Sequence, residues 1–459
     1  MLTATPAFLE QELGEVVRLF PGAEALDIAL SQNFDGETFS GVLTLGEKQI
    51  AYSHEGRAEN ELVYKSLARR YSKLALYNAL SEHFHTHLPW GALTGIRPTR
   101  LARGEMEKGR DFLPLFHEMD VSEDNIELVS RVIRAQEGIY EKKDGNCDLY
   151  VSLPFCPTRC VYCSFVTAPI DKTRKFIPAY LESLKRELEG AEGLWKNLRS
   201  VYIGGGTPFA LETEELRAVL EAVKPLRTNG CEYTVEAGRP DVFTEEKLAL
   251  CKEYGVTRIC INAQSFSDRT LEAIGRKHTA AQVGEAFELA RPFGFLTNCD
   301  LIAGLTGESL EEFCMSIDRA VALSPDNITV HTLCLKKGAR LKEEVGRLTE
   351  GDMGEMIAYA REKLTAAGYE PYYLYRQKYM AGAHENTGWC KKGTASVYNV
   401  DVMEETADNF AVGAGAVTKK VFLNEGRIER IGSPKDLPTY LEKTDKLIEE
   451  KRALFTRNE

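Results

Sequence analysis

The chain has 459 residues, 43% hydrophobic and 27% charged, and a formal net charge of −12. That length exceeds one ordinary core and fits a barrel-sized domain with smaller additions. The acidic balance argues against general affinity for nucleic acid or anionic membrane, and no run of about twenty apolar residues predicts a membrane span. The start "MLTATPAFLEQELGEVV" lacks a basic region followed by an apolar one, so no signal peptide is predicted and a cytoplasmic protein is expected.

The first 145 residues read as a small α+β domain whose role the sequence does not assign. "FSGVLTLGEKQIAYSHE" holds two alternating runs around Gly46, which predicts a hairpin. "ENELVYKSLARRYSKLALYNALSEHF" repeats apolar residues at three and four positions and predicts a long amphipathic helix. A further helix is expected from the Ser122 cap signal onward, and the turn-like "KDGNCD" marks the domain boundary. His83, His85 and His87 alternate near the end of the long helix and read as a polar helix end.

From residue 146 to 380 short β-rich runs alternate with helical ones. Strands are predicted at Leu149–Leu153, Leu198–Ile203, Cys231–Glu236, Arg258–Ala263, Leu296–Ile302, Asn327–Thr332 and Glu370–Tyr375. Repeated β-α units predict an α/β fold, a parallel sheet closed wholly or partly into a (β/α)6-type barrel, with chemistry at the C-terminal strand ends. Residues 381–459 read as an irregular C-terminal region that ends in a helix. Its Gly-rich "FAVGAGAVTKK" is expected to pack structurally.

The first predicted strand runs into "YVSLPFCPTRCVYCSF", where Cys156, Cys160 and Cys163 fall within eight positions. Four readings compete: a structural zinc completed by His331 or Cys390, a redox Cys-x-x-Cys pair, chance clustering, and a [4Fe–4S] cluster with three protein thiolates. The last leaves one iron open for a chelating ligand. Six other cysteines, Cys231, Cys251, Cys260, Cys299, Cys314 and Cys334, sit singly and read as small core residues in a reducing compartment.

The next strand ends in "VYIGGGTPF". Gly204, Gly205 and Gly206 before Thr207 exceed what a tight turn needs and suit close approach of a ligand. No Lys-Ser/Thr follows, so this is not a phosphate loop of the Walker type. Glu236, Gln264 and Asp300 fall at successive strand ends, and one shared ligand explains them together. Arg276 in "AIGRKHT" supplies a candidate cation.

These residues carry a resemblance. "PFCPTRCVYC" is similar to the Cys-x3-Cys-x2-Cys signature of radical S-adenosylmethionine enzymes. With "GGGTP", "VEAGRPD", "AQSF" and "DLIAGLTGES" in that order, residues 148–420 resemble the oxygen-independent coproporphyrinogen III oxidase-like family. "WGALTGIRPTR" and "GWCKKGTASVYNVDVMEETADNFAVGAGAVT" most resemble its HemZ-type branch.

The resemblance implies that Cys156, Cys160 and Cys163 ligate three irons of a [4Fe–4S] cluster, and that the fourth iron takes the amino and carboxylate groups of S-adenosylmethionine. It implies that Tyr162 stacks on the adenine and that Gly204–Gly206 and Thr207 approach the cofactor by their backbone. Glu236 and Arg276 would complement the methionyl zwitterion, and Gln264 and Asp300 the ribose hydroxyls. Tyr150, near cluster and cofactor, and Arg376, facing the substrate, are the catalytic candidates. The implied activity is an oxidoreductase reaction of heme biosynthesis. A 5′-deoxyadenosyl radical takes a hydrogen from a propionate β-carbon, and loss of CO2 and one electron leaves a vinyl group. Coproporphyrinogen III becomes protoporphyrinogen IX. The expected partners are a tetrapyrrole and a reducing donor such as flavodoxin or ferredoxin. Arg97, Arg100, Arg103, Lys378, Lys391 and Lys392 are further candidate cations for its carboxylates.

Two positions depart from the oxidases proper. Phe165 stands where they carry a further cysteine, and Ser152 where they carry the histidine of His-Ile-Pro. Relatives without the extra cysteine include heme chaperones and enzymes that methylate or open heme.

Overall fold

A computed structural model describes residues 1–95, 97–164, 168–334, 339, 351–377 and 384–457. The chain forms two compact units. One comprises Met1–Ser130 with Arg376, Gln377 and His384, and the other holds the rest from Arg131 on.

The smaller unit is a four-stranded sheet with helices. Strand β1 (Leu2–Thr5) lies parallel to β2 (Ile28–Phe34), and β2, β3 (Thr38–Leu45) and β4 (Lys48–Glu55) follow as an antiparallel meander. The β3–β4 turn sits at Gly46, whose φ of +59° suits a residue without a Cβ. The long helix covers Glu61–Phe84, where the Asn60 side chain caps Val63 N at 2.9 Å. It ends at His85 in the left-handed region, and His87 Nδ1 meets Asp120 Oδ2 at 2.6 Å.

Among the described residues the larger unit is built on one sheet of eleven strands. In chain order these are β5 (Asn146–Leu153), β8 (Asn197–Gly205), β9 (Glu232–Gly238), β10 (Arg258–Ile261), β11 (Leu296–Ala303), β12 (Asn327–Thr332), β13 (Glu370–Tyr375), β14 (Asn386–Cys390), β15 (Asp408–Val412), β16 (Val417–Phe422) and β17 (Arg427–Gly432). Two-residue strands β6 (Phe155–Cys156) and β7 (Ala168–Pro169) pair apart from it. Strands β5 and β8 to β12 pair in parallel and in sequence order, the arrangement expected of consecutive β-α units.

Two features depart from a simple series. Glu370–Tyr375 was expected to extend the parallel ladder, but β14 inserts between β12 and β13 and pairs antiparallel with both. An apolar alternating run carries no record of its neighbour's direction, so the chain's return decides this. On the other side β15, from the C-terminal stretch, lies parallel to β5 and brings β16 and β17 with it.

Alternation sorts the side chains. Leu149, Val151, Leu153, Val201, Ile203, Val235, Ile259, Leu301, Ile328 and Val330 share one core with apolar residues of helices such as Ile177–Glu189, Thr213–Val223 and Leu310–Leu323. The opposite face carries Tyr150, Tyr202, Glu236, Cys260, Asp300 and His331. A sheet buried on both faces normally reads as nearly continuous apolar sequence. Polar residues here make the inner face the candidate site. Among the described residues no helix is long and apolar enough to cross a membrane.

Candidate functional site

Cys156, Cys160 and Cys163 follow β5, at the C-terminal edge of the parallel strands. Cys156 and Cys160 are buried and Cys163 half-buried, and all cysteines of the chain are free thiols. Burial pushes the Cys156 thiol up to about 12, countered in part by the Thr207 hydroxyl, which donates to its Sγ at 3.4 Å. The Cys163 and Cys160 thiols also raise it electrostatically. The loop's start is held by Thr207 N donating to Phe155 O at 2.8 Å and Ala168 N to Pro154 O at 2.7 Å. Tyr162 packs against Leu271, Ile274, Ile302, Leu305 and Leu333, beside Arg276.

The glycine run is required by space. A Cβ on Gly206 would lie 2.6 Å from Phe155 O, and one on Gly204 2.7 Å from Glu236 Oε2. Gly205 has φ +99° and faces the Ser152 hydroxyl. Ser152 itself donates to Ala414 O at 2.9 Å. This fastens β5 to the Gly413–Ala414 turn, the packing role expected of that Gly-rich stretch.

Glu236 and Asp300 lie in the C-terminal halves of β9 and β11, Gln264 three residues past β10, and Arg276 three residues past the helix Asp268–Ala273. Burial, and to a lesser degree the Asp300 charge, raise the Glu236 carboxyl from its ordinary 4.5 to about 7, against the stabilising hydroxyl of Tyr202. Burial would raise Asp300 too, but His331 and the Asn298 amide, 2.8 Å from Oδ1, hold it below the usual carboxylate value. Gln264 is a non-glycine residue at φ +69°, and its buried Oε1 has no hydrogen-bond partner among the described residues. Backbone strain with an orphaned acceptor is a mark of a binding position. Arg276 is buried beside Cys160 and Tyr162, with one nitrogen on Asn262 O.

Tyr150 stacks with Tyr398 at 6.1 Å and 16°, and Tyr202 with Tyr398 at 4.4 Å and 23°. Tyr202, Tyr398 and His331 were not singled out as inner-face residues from sequence, although period-two alternation from Tyr150 and Gly204 would have placed Tyr202 there. Thr158, Arg239 and His278 were missed as well. His278 is buried, and burial with the Arg276 charge lowers it to about 3, so it is neutral.

Several expectations are corrected or relocated. Cys390 pairs with Asn327 at the start of β12, the opposite end of the strand from the thiol loop, so it does not supply a fourth ligand there. Five residue steps of strand span roughly 16 Å. Lys391 lies at that same far edge, with its Nζ on Ser324 O at 2.7 Å and its amide on Asp326 O, and Lys392 follows it. Both are therefore removed from the strand ends where cations for a substrate were sought. Cys231, Cys251, Cys260, Cys299 and Cys334 are buried core residues as expected, Cys260 on the inner face of the sheet. Cys314 is only half-buried on its helix. Arg376 donates to Leu93 O and stands over the Trp90 ring at 5.3 Å, within the smaller unit. Phe165 and Lys378 lie outside the described residues.

Residues 150–320 match the profile of the Radical SAM superfamily. The chain is 34% identical, over 94% of its length and 90% of the relative's, to the oxygen-independent coproporphyrinogen-III oxidase-like protein HemZ of Bacillus subtilis. It is 32% identical, over 58% of its length and 69% of the relative's, to the heme chaperone HemW of the same organism. Its fold matches that of the coproporphyrinogen III oxidase HemN of Escherichia coli with a TM-score of 0.51 at 18% identity, covering 69% of this chain and 72% of that one. The chain thus belongs to the radical S-adenosylmethionine superfamily, within its oxygen-independent coproporphyrinogen-III oxidase-like family, whose cofactors are a [4Fe–4S] cluster and S-adenosylmethionine.

Proposed function

We propose that this protein is a radical S-adenosylmethionine oxidoreductase that oxidatively decarboxylates the propionates of coproporphyrinogen III. The observation that carries the reading is the convergence, at the C-terminal ends of consecutive parallel strands, of three grouped thiols with Glu236, Gln264, Arg276 and Asp300. The donor set fits the cofactors. Three thiols and no fourth would hold three irons of a cubane and leave one open. The orphaned Oε1 of Gln264 is an acceptor awaiting a hydroxyl donor, and Asp300 is a second, kept ionised by His331 and Asn298. Arg276 is a buried cation suited to a carboxylate. Glu236, near 7 without a ligand, would ionise beside an ammonium group. The glycines at 204–206 let the backbone pack directly against Glu236, Ser152 and Phe155, which fixes the floor of the site.

When bound, cluster and S-adenosylmethionine together supply a carbon radical able to take hydrogen from an unactivated carbon. The chain's part is to orient, to enclose and to place charge. Tyr150, Tyr202 and Tyr398 offer stacked aromatic surface on the inner face, which suits an apolar macrocycle. Tyr150 remains the proposed catalytic tyrosine, and Arg376, with Arg97, Arg100 and Arg103, the proposed set of cations for propionates. A one-electron donor of the flavodoxin or ferredoxin type is the proposed partner.

A second reading, a heme-binding chaperone, is favoured by the relatives of that name and by the tie of Ser152 to Ala414, which commits to packing the position that carries histidine in the oxidases proper. Anaerobic incubation of the reconstituted chain with reductant, S-adenosylmethionine and coproporphyrinogen III separates the two. Protoporphyrinogen with CO2 release supports the oxidase. Tight heme binding with no product supports the chaperone, and methylated or linearised tetrapyrrole would assign a different chemistry on the same site.

A further inference from the structure

Cys156 ends the two-residue strand β6 and Cys160 and Cys163 sit on the irregular loop after it, and a cluster needs all three thiols at fixed separations. Backbone bonds hold the loop before Cys156, and Val161 N donates to Ile274 O at 3.2 Å after Cys160. Between the first and second thiols Thr158 supplies a fastening. Its hydroxyl donates to Gly275 O at 3.0 Å and accepts from Arg239 Nη1. Arg239 is itself 2% exposed and gripped by Asp241 through two bonds of 2.9 and 2.7 Å. It follows Gly238, where φ is +82° and a Cβ would press on Thr207 at 3.1 Å. One hydroxyl therefore joins three segments: the thiol loop, the turn after β9, and the turn at residues 274–276. Burial and the charges of Arg276 and Arg239 keep the buried His278 neutral, so it adds no third positive charge there.

We propose that Thr158 and Arg239, locked by Asp241, form a clamp that sets the distance between the Cys156 and Cys160 thiols, and that they are positioning residues for the iron–sulfur cluster. The proposal rests on the cluster reading of the site. It assigns a task to two residues that supply no thiolate. The hydroxyl is needed both as donor and as acceptor, so serine replaces threonine and valine, of the same shape, does not. Valine leaves the Gly275 carbonyl and a buried guanidinium nitrogen each without this partner.

The test uses the full chain reconstituted anaerobically with iron and sulfide, as parent, Thr158→Ser and Thr158→Val. Iron and sulfide per chain, the rate of cluster loss to a chelator, and the electron paramagnetic resonance signal of the reduced cluster with and without S-adenosylmethionine are measured. The expected result is that Thr158→Ser stays within about twofold of the parent in loss rate. Thr158→Val should lose cluster about tenfold faster and show an altered signal while its circular dichroism is unchanged. Parent-like loss and signal in Thr158→Val overturn the clamp. A parent that holds no cluster at all overturns instead the reading on which the clamp rests. Where Thr158→Val does not fold, Asp241→Asn takes its place, since it loosens Arg239 without touching the loop. Faster loss again supports the clamp, and a parent-like rate overturns it.

Discussion

The Tyr202 hydroxyl donates to Glu236 Oε1 at 2.6 Å on the inner face of the sheet, where burial holds the carboxyl near 7. A carboxyl raised on folding binds a proton more tightly in the native chain than in the unfolded one. Its contribution is full below the ordinary 4.5 and is lost as pH rises through about 7. The cofactor-free chain should therefore lose stability between pH 5 and 8, on the order of 1–3 kcal/mol from this group. Glu236→Gln should flatten that part of the profile of denaturation midpoint against pH. In the same variant S-adenosylmethionine should bind at least about tenfold more weakly to the reconstituted protein, and equal binding would remove Glu236 from the cofactor site.

Gln264 holds a left-handed backbone at φ +69° with its side-chain oxygen unsatisfied among the described residues. Gln264→Gly should relieve strain of about 1 kcal/mol and raise the urea midpoint of the apo chain, while weakening cofactor binding. Gln264→Ala keeps the strain and loses the side chain, so it should bind as weakly without gaining stability. A glycine variant that binds as the parent does would show that the position is structural.

Lys451 and Glu187 are each 1% exposed and meet at 2.6 Å, and Glu187 also accepts from Tyr440 at 2.6 Å and from Gly413 N at 2.8 Å. The network fixes the C-terminal helix Leu437–Phe455 to helix Ile177–Glu189 and to the turn that meets Ser152. Lys451→Met leaves a buried carboxylate without its cation and should cost about 3–5 kcal/mol in urea unfolding. A change below about 1 kcal/mol would mean that Tyr440 and Gly413 suffice to hold the charge.

Cys160 stands in the thiol loop, whereas Cys390 lies at the opposite end of the strands. Cys160→Ser should abolish bound iron and sulfide after reconstitution, and Cys390→Ser should retain both at parental levels. Equal iron in the two variants would sink the assignment of the cluster to residues 156–163.

Much of this was legible in order along the chain. The thiol spacing, the glycine run and the polar residues at Glu236, Gln264 and Asp300 are local patterns, and so is the alternation of apolar strands with amphipathic helices. Each is set by neighbours a few residues away, so sequence alone exposes it. The insertion of Asn386–Cys390 between β12 and β13, the return of Asp408–Val412 to pair with β5, and the stack of Tyr150, Tyr202 and Tyr398 depend on partners far apart in sequence.

The chain by itself determined the superfamily signature, the parallel series and the positions of the polar candidates along the strands. Only the tertiary structure decided which side chains share a charge environment. Glu236 sits near 7 and Asp300 below its usual value because one is buried beside another carboxylate and the other beside His331 and Asn298. Desolvation and Coulomb energy depend on distance in space, and the sequence records only distance along the chain.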